Sequence, residues 1–320
     1  MSVEISIAWS KNIINFILLV ITIFLFDFLV FYQKKGILGF DLTQIFHNTS
    51  RLNKIVNNFR ITELSVLAAS VVLSFLLTTF IKHCCMPIFY VITTALVITY
   101  LGYSYLSSVR EGGKPLSILQ PETKLQYIFE NRILEFFAIL LIITSIGLVF
   151  YNIDSTPSIT PLRWTFHGDV ITVTGSRGFL YSLLIGWGIV SYFLTVLLSY
   201  DVANIITITK ETVWGRKFIK KLAINRLIQA MWCLAWIAVW ISSAIYSFNP
   251  IYLFFTISVS GVIAMLYLLT RCVRIIGEGR TTGFGKSLKT VFFILRFRTY
   301  LVFILQMLMA MSFAGSVIKI

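Results

Sequence analysis

Three acidic residues lie inside or at the ends of long apolar segments, where a charged side chain is costly. Asp27 stands between two phenylalanines with no basic residue in its segment, Glu135 lies near the start of a second segment, and Asp201 ends a third. Because a carboxylate in hydrocarbon needs a partner or a watery cavity, all three are intramembrane polar candidates, and Asp27 is the candidate for a proton or cation path. The alternative is structural: a hydrogen bond between helices for Asp27, and an ion pair with Arg132 on the adjoining turn for Glu135. Asp201 then only marks the interfacial end of its helix.

A second group of candidate residues is basic and lies in the connections between the apolar segments. Residues 214–221 alternate apolar and basic side chains, and residues 292–298 run directly into an apolar segment. Both patterns are typical of helices at the membrane interface, whose basic side chains snorkel to anionic headgroups. The residues predicted to contact anionic lipid or a phosphorylated substrate are Lys217, Lys220, Lys221, Arg280, Arg296 and Arg298.

The sequence offers no recognised catalytic, nucleotide or metal motif. It contains neither G-x-S-x-G nor H-E-x-x-H, and five residues instead of four separate Gly279 from the Gly-Lys-Ser group at Gly285. The spacing of the histidines and cysteines matches no familiar metal motif. We therefore predict no metal site, no cofactor and no specific nucleic-acid binding.

Small and aromatic residues predict how the helices pack. The four-residue spacing of Ser260 with Ala264, and of Ala310 with Ala314, is typical of helices that approach closely. Three tryptophans also recur every fourth residue, at positions 232, 236 and 240, and so share one side of a helix. We interpret this tryptophan stripe as a packing or lipid-facing surface, with a ligand-stacking wall as the alternative.

The elements that carry these residues are membrane helices. Of the 320 residues, 58% are hydrophobic and 12% are charged, which excludes an ordinary soluble or disordered chain. A helix needs roughly 20 apolar residues to cross the bilayer, and eight such runs predict an all-α protein with eight transmembrane helices. The predicted spans are Ile13–Tyr32, Leu64–Ile81, Pro87–Ser107, Ile133–Tyr151, Phe179–Tyr200, Leu227–Tyr246, Ile251–Thr270 and Thr299–Ile318.

The distribution of basic residues predicts the orientation. Of the 27 Lys and Arg residues, 22 fall in the first, third, fifth and seventh connections between these spans. Because cytosolic connections carry the excess of positive charge, these four face the cytosol and both termini face outward. We expect an integral protein of a plasma or bacterial inner membrane, in contact with anionic headgroups at its inner face. The first span, without a cleavage motif, is interpreted as an anchor that is retained.

The order of loop lengths divides the chain into three parts. Residues 1–151 and 179–320 form four-helix membrane halves, although any eight-helix chain can be divided this way without a true duplication. Residues 152–178 form an outer loop with a predicted β-hairpin at 162–175. Its strands, Leu162–His167 and Val170–Gly175, flank a two-residue turn and place Trp164 opposite Val173.

These features favour three functions, in this order. The first is a non-enzymatic transport or export component that packs with copies of itself or with other subunits of a larger membrane complex. The second is a membrane-embedded transferase that acts on a lipid-linked or phosphorylated substrate at the basic cytosolic face. The third is a purely structural scaffold.

The predicted orientation can be tested by labelling intact cells with a membrane-impermeant maleimide. In a background with serine in place of the native Cys84 and Cys85, which are predicted to face outward, cysteines introduced by Lys217→Cys or Lys286→Cys should not react, because both positions are predicted to face the cytosol. The control variant Arg163→Cys, on the predicted outer side, should react. The glycosylation sequon that begins at Asn48 should stay unmodified for the same reason. Labelling at position 217 or 286 contradicts the orientation.

Overall fold

The structure is a computed structural model of the chain. It describes residues 36–37, 40–41, 49–80, 110–111, 114–115, 121–155, 163–165, 170–171, 177–209, 212–246, 248–280 and 286–319. The first and third predicted spans, and with them Asp27, lie outside these residues.

The described chain is dominated by long helices. They are α1 (Thr49–Phe80), α2 (Pro121–Ile128), α3 (Arg132–Tyr151), α4 (Arg177–Thr209), α5 (Val213–Tyr246), α6 (Ile251–Arg280) and α7 (Lys286–Val317). Five of the helices, α3 to α7, are long and apolar enough to cross a membrane. This fits the predicted all-α membrane protein. Residues 64–80 of the predicted span Leu64–Ile81 lie on α1, whose side chains are described only as far as residue 69.

Two helices are longer at their predicted cytosolic ends than the hydropathy suggested. Helix α5 begins at Val213 and α7 begins at Lys286, whereas the predicted spans begin at Leu227 and Thr299. Residues 292–298 therefore belong to α7 itself instead of forming a separate interfacial helix. The physical reason is that polar residues end an apolar run without ending the backbone hydrogen bonds of a helix.

The chain divides into two compact units, and each is described by itself. The first comprises residues 1–118 and 282–294, and the second residues 119–281 and 295–320. In the first unit, the buried residues of α1 recur every three or four positions and so share one face; they are Leu52, Val56, Phe59 and Glu63. The candidate site lies in the second unit.

Helix α5 is the centre of the second unit, because it packs against α3, α4 and α6. Helices α3 and α6 bury the smallest share of their residues. Their exposed faces are strongly apolar, with Ile133, Phe136 and Phe137 on α3 and Tyr252, Leu253 and Phe255 on α6. Such faces suit contact with lipid chains and leave the polar side chains for the interior.

Short strands pair in three places. Strand β1 (Gly36–Ile37) pairs with β2 (Phe40–Asp41), and β3 (Arg110–Glu111) pairs with β4 (Lys114–Pro115); neither pair was predicted. Strand β5 (Arg163–Thr165) pairs antiparallel with β6 (Val170–Ile171) and parallel with β7 (Ile318–Lys319).

The register of β5 and β6 differs from the predicted hairpin. Trp164 lies opposite Val170, not opposite Val173. The predicted register assumed a two-residue turn, whereas the connection between these strands comprises residues 166–169, outside the described residues. Strand β5 is also held by β7, with Trp164 opposite Ile318, and a pairing so distant in sequence is not encoded by a local turn.

The pairing of β5 with β7 constrains the path of the chain between them. Four candidate spans, α4 to α7, separate the two strands in sequence. An even number of crossings returns the chain to the side from which it started. The side-by-side position of β5 and β7 is what four crossings would produce if all four candidate spans cross a membrane.

Candidate functional site

A line of small polar residues on α4 provides one wall of the candidate site. Ser191, Thr195 and Ser199 are fully buried and follow one another at intervals of four residues, so they share one face. Two of their hydroxyls donate to the helix's own backbone: Thr195 Oγ1 to Tyr192 O at 2.8 Å, and Ser199 Oγ to Thr195 O at 2.9 Å. These bonds allow hydroxyl groups to lie in an apolar layer without losing their hydrogen bonds.

A charged network joins three helices through Arg226 of α5. The Nε of Arg226 lies 2.9 Å and 3.0 Å from the two carboxylate oxygens of Glu135 on α3, and its Nη2 also donates to that carboxylate. Its Nη1 donates to Ser199 Oγ on α4 at 3.0 Å. The hydroxyl of Tyr192, also on α4, donates to Glu135 Oε2 at 3.0 Å. Glu135 therefore pairs with Arg226 on another helix. It does not pair with Arg132 on the adjoining turn, which was the structural alternative.

This ion pair is almost completely removed from solvent. The Arg226 side chain is 0% exposed and that of Glu135 is 5% exposed. A buried pair is tolerated when its geometry is good and its remaining donors and acceptors are bonded, and both conditions are met at the carboxylate. The network carries no net charge, and it connects α3, α4 and α5 at one level.

A second buried ion pair joins α4 to α7. The Nη1 of Arg298 donates to Asp201 Oδ2 at 2.7 Å, and both side chains are buried. This places two predicted residues together, but in a role different from the one predicted for Arg298. Its guanidinium lies on a carboxylate inside the bundle and not among lipid headgroups, because Asp201 offers a charged partner on the neighbouring helix.

Amide side chains extend the polar region next to the ion pairs. Asn225 Nδ2 donates to Gln306 Oε1 at 3.0 Å, and Gln306 Nε2 donates to the carbonyl oxygen of Ser191 at 3.4 Å. Gln229 Nε2 lies 2.9 Å from the sulfur of Met265 on α6. All three amide side chains are buried.

Together these residues form what we call the polar seam. Its members are Glu135, Ser191, Thr195, Ser199, Asp201, Asn225, Arg226, Gln229, Arg298 and Gln306. Along α4 the seam runs from Ser191 to Asp201, which corresponds to roughly 15 Å of helix, or about half of a 30 Å hydrocarbon layer. It starts at the end of the spans that the sequence assigns to the cytosol.

Beyond the polar seam, helices α4, α5 and α6 pack through aromatic side chains. The rings of Trp187 and Trp232 meet edge to face with centroids 4.1 Å apart, and Trp236 stacks on Phe254 at 4.3 Å. The indole N–H of Trp232 donates to the carbonyl oxygen of Ile257 at 3.0 Å. The tryptophan stripe is therefore a buried packing surface, and we call these rings the aromatic layer.

The predicted close-packing residues occupy different environments. Ser260 is exposed and its hydroxyl donates to its own helix, Ala264 is half-buried, and Ala310 is buried. The side chain of Ala314 lies outside the described residues. The close approach on α6 is instead at Gly261, where an added Cβ would lie 3.0 Å from the ring of Trp232.

The predicted basic residues other than Arg298 stay at the surface. Lys217, Lys220, Arg280 and Arg296 are exposed, and Lys221 is half-buried. The neighbouring Arg216 forms a surface ion pair with Glu130 at 3.4 Å. Among the described residues, no group of three His, Cys, Asp or Glu side chains could hold a metal ion.

Sequence reasoning missed the residue at the centre of the site. Arg226 was counted among the charges of a cytosolic connection, because it directly precedes the apolar run from Leu227. A usable signal was present: Asn225 and Gln229 are four residues apart, and together with Arg226 they give the start of the span a polar face. The partner Gln306, in the last predicted span, was also overlooked.

Removing Arg226 should strongly destabilise the protein. Arg226→Gln leaves the Glu135 carboxylate buried without its cation, so the free energy of unfolding in detergent should fall by about 3–5 kcal/mol. The double variant Glu135→Gln/Arg226→Gln removes both charges and should recover part of the loss. The control Arg274→Gln breaks an exposed pair with Glu278 and should change stability by about 0.5 kcal/mol or less. If Arg226→Gln has the same free energy of unfolding as the wild type, Arg226 and Glu135 do not form the buried ion pair described here.

Comparisons with known proteins give no relative from which a function can be transferred. No family model, no curated protein and no solved structure matches this chain. What can be inferred about its function therefore depends on the polar seam and the surfaces around it.

Proposed function

We propose that this protein is a transport or export component of a membrane and works as a subunit of a larger membrane complex. The observation that supports the proposal is the polar seam, which holds two ion pairs and three amide side chains inside apolar helices. Ionisable side chains within membrane spans are rare and usually mark a substrate path, an ion path or a proton relay.

The extent of the polar seam supports a role shared with other subunits. The seam covers about half of the apolar layer, and the aromatic layer follows it toward the predicted outer side. A complete path between the described helices of the second unit would have to cross the packed rings of Trp187, Trp232 and Trp236. A path shared with a neighbouring subunit, or opened by a movement of α5 against α4, avoids that barrier.

The proposal includes the topology predicted from the sequence. In it, eight spans leave both termini outside the cytosol of a plasma or bacterial inner membrane, and the basic connections lie against anionic headgroups. The outer loop with β5 and β6 then lies on the same side as the C-terminal residues, consistent with the pairing of β5 with β7.

A membrane-embedded transferase is the second candidate, and one observation favours it. Lys217 and Lys220 are exposed and Lys221 is half-buried on the cytosolic extension of α5, less than three turns from Arg226. Such a basic surface next to a polar interior suits a lipid-linked or phosphorylated substrate, whose phosphate would bind the lysines.

The two candidates predict opposite results in cells that lack the wild-type chain. One variant, Glu135→Gln/Arg226→Gln, neutralises the seam pair without changing net charge; the other, Lys217→Gln/Lys220→Gln/Lys221→Gln, neutralises the surface. The transport proposal predicts that only the seam variant fails to restore function at wild-type membrane levels, because only it alters the intramembrane path. The readouts are complementation of the deletion phenotype and the subunits that co-purify in mild detergent.

The other outcomes each point elsewhere. Loss of function in the lysine variant alone contradicts the transport proposal and supports the transferase. Full function in both variants contradicts both candidates and leaves a structural scaffold. Asp27→Asn adds a third comparison, because Asp27 was the leading sequence candidate for the same path.

A further inference from the structure

Three side-chain oxygens inside the polar seam have no hydrogen-bond partner among the described residues. They are Asn225 Oδ1, Gln229 Oε1 and Ser191 Oγ. Their residues are 0–1% exposed, so bulk water does not reach them. A buried oxygen without a donor loses the hydrogen bonds it makes in water, and such groups are rare in folded proteins.

The three oxygens belong to one small region of the bundle. Asn225 and Gln229 are one turn apart on α5, so their side chains lie on the same face. Gln306 of α7 accepts a hydrogen bond from Asn225 and donates one to the backbone carbonyl of Ser191 on α4. It therefore bridges these two residues. We call Ser191, Asn225, Gln229 and Gln306 the amide cluster.

Each of the two α5 amides has one unpaired end in either of its two possible orientations. Asn225 uses one end of its amide for the bond to Gln306, and Gln229 uses one end for its contact with Met265. Exchanging oxygen and nitrogen in either amide leaves the other end unpaired. A ligand that both donates and accepts hydrogen bonds satisfies either arrangement.

Charge and burial restrict what that ligand is. In the second unit, the buried charged residues that the structure describes form two neutral pairs, Glu135 with Arg226 and Asp201 with Arg298. A cation bound to the neutral amide oxygens would therefore bring a charge with no counter-ion. Because the three oxygens are almost completely buried, the ligand must be small enough to lie between the packed helices. The ligand is thus small, neutral and able to donate hydrogen bonds.

We infer that the amide cluster binds water in the interior of the membrane helices. Buried water typically makes about three hydrogen bonds to polar groups that otherwise have none, and this cluster supplies three such oxygens. The site is independent of the proposed function, because a carrier, an enzyme or a scaffold could each contain it.

The sign of a stability change tests the inference. Ser191→Ala removes only the unpaired hydroxyl and keeps the backbone carbonyl that accepts from Gln306. If water occupies the cluster, the variant loses a hydrogen bond to that water and its Tm should fall by roughly 2–4 °C. The matched control is Ser145→Ala, which removes a hydroxyl at an equally buried position that donates to the backbone of its own helix and should change the Tm less. A raised or unchanged Tm for Ser191→Ala overturns the inference, since a dry core gains when an unpaired oxygen is removed.

A second measurement uses the wild-type chain and does not require a variant to fold. Solid-state NMR in bilayers, with magnetisation transferred from water, should reach the side-chain amides of Asn225 and Gln229 first. The indole N–H of Trp232, which is buried and donates to the carbonyl oxygen of Ile257, should respond several-fold more slowly. Equal transfer rates for the amides and this indole overturn the inference, whatever the Tm of Ser191→Ala.

Discussion

The structure depends on one constraint: a charge taken out of water needs an opposite charge close to it. Arg226 meets this constraint through Glu135 and Ser199, and these contacts fix α3 and α4 against α5. Separating either helix from α5 would leave a charge or a buried donor without its partner, which costs far more than the loss of apolar contact. The ion pair therefore specifies which helices are neighbours. The apolar residues stabilise helix packing but do not specify the partner.

The core of the second unit is consequently layered. At the predicted cytosolic end, ion pairs and amides determine the arrangement of the helices. Toward the predicted outer end, the helices contact one another through the rings of the aromatic layer. Gly261 has no side chain, which allows the ring of Trp232 to pack closely against α6. Hydrogen bonds in an apolar layer are directional, whereas ring packing is governed by shape. Helices α4 and α5 thus take part in both layers, and the ionisable side chains of the described core lie in the first.

Hydropathy along the sequence was enough to predict the positions of the apolar helices. Five apolar segments were found as helices in the right places, because a run of about 20 apolar residues has few alternatives to a membrane helix. The continuous helices through residues 213–227 and 286–299 were missed, because hydropathy detects where lipid begins and not where a helix begins. The hairpin register failed for a related reason: its β7 partner comes from the far end of the chain.

The site was predictable only in part, and the limit is physical. Glu135, Asp201 and Arg298 were singled out because each is a charge in or beside an apolar segment. Their partners were not deducible, since Glu135 and Arg226 are 91 residues apart in sequence and no periodicity links them. Arg226 shows the difficulty most clearly, because a basic residue at the edge of a span looks the same whether it faces a headgroup or a carboxylate.

The most direct test of this account is the distance between two groups in a native-like bilayer. Solid-state NMR on the wild-type chain, with ¹³C in the glutamate carboxylates and ¹⁵N in the arginine guanidinium groups, measures the dipolar coupling between Glu135 and Arg226. The account predicts a coupling of the size expected for a hydrogen-bonded pair, unchanged by high salt because the pair is shielded from solvent. A coupling too weak to detect, with the fold otherwise intact, would show that the two charges do not meet.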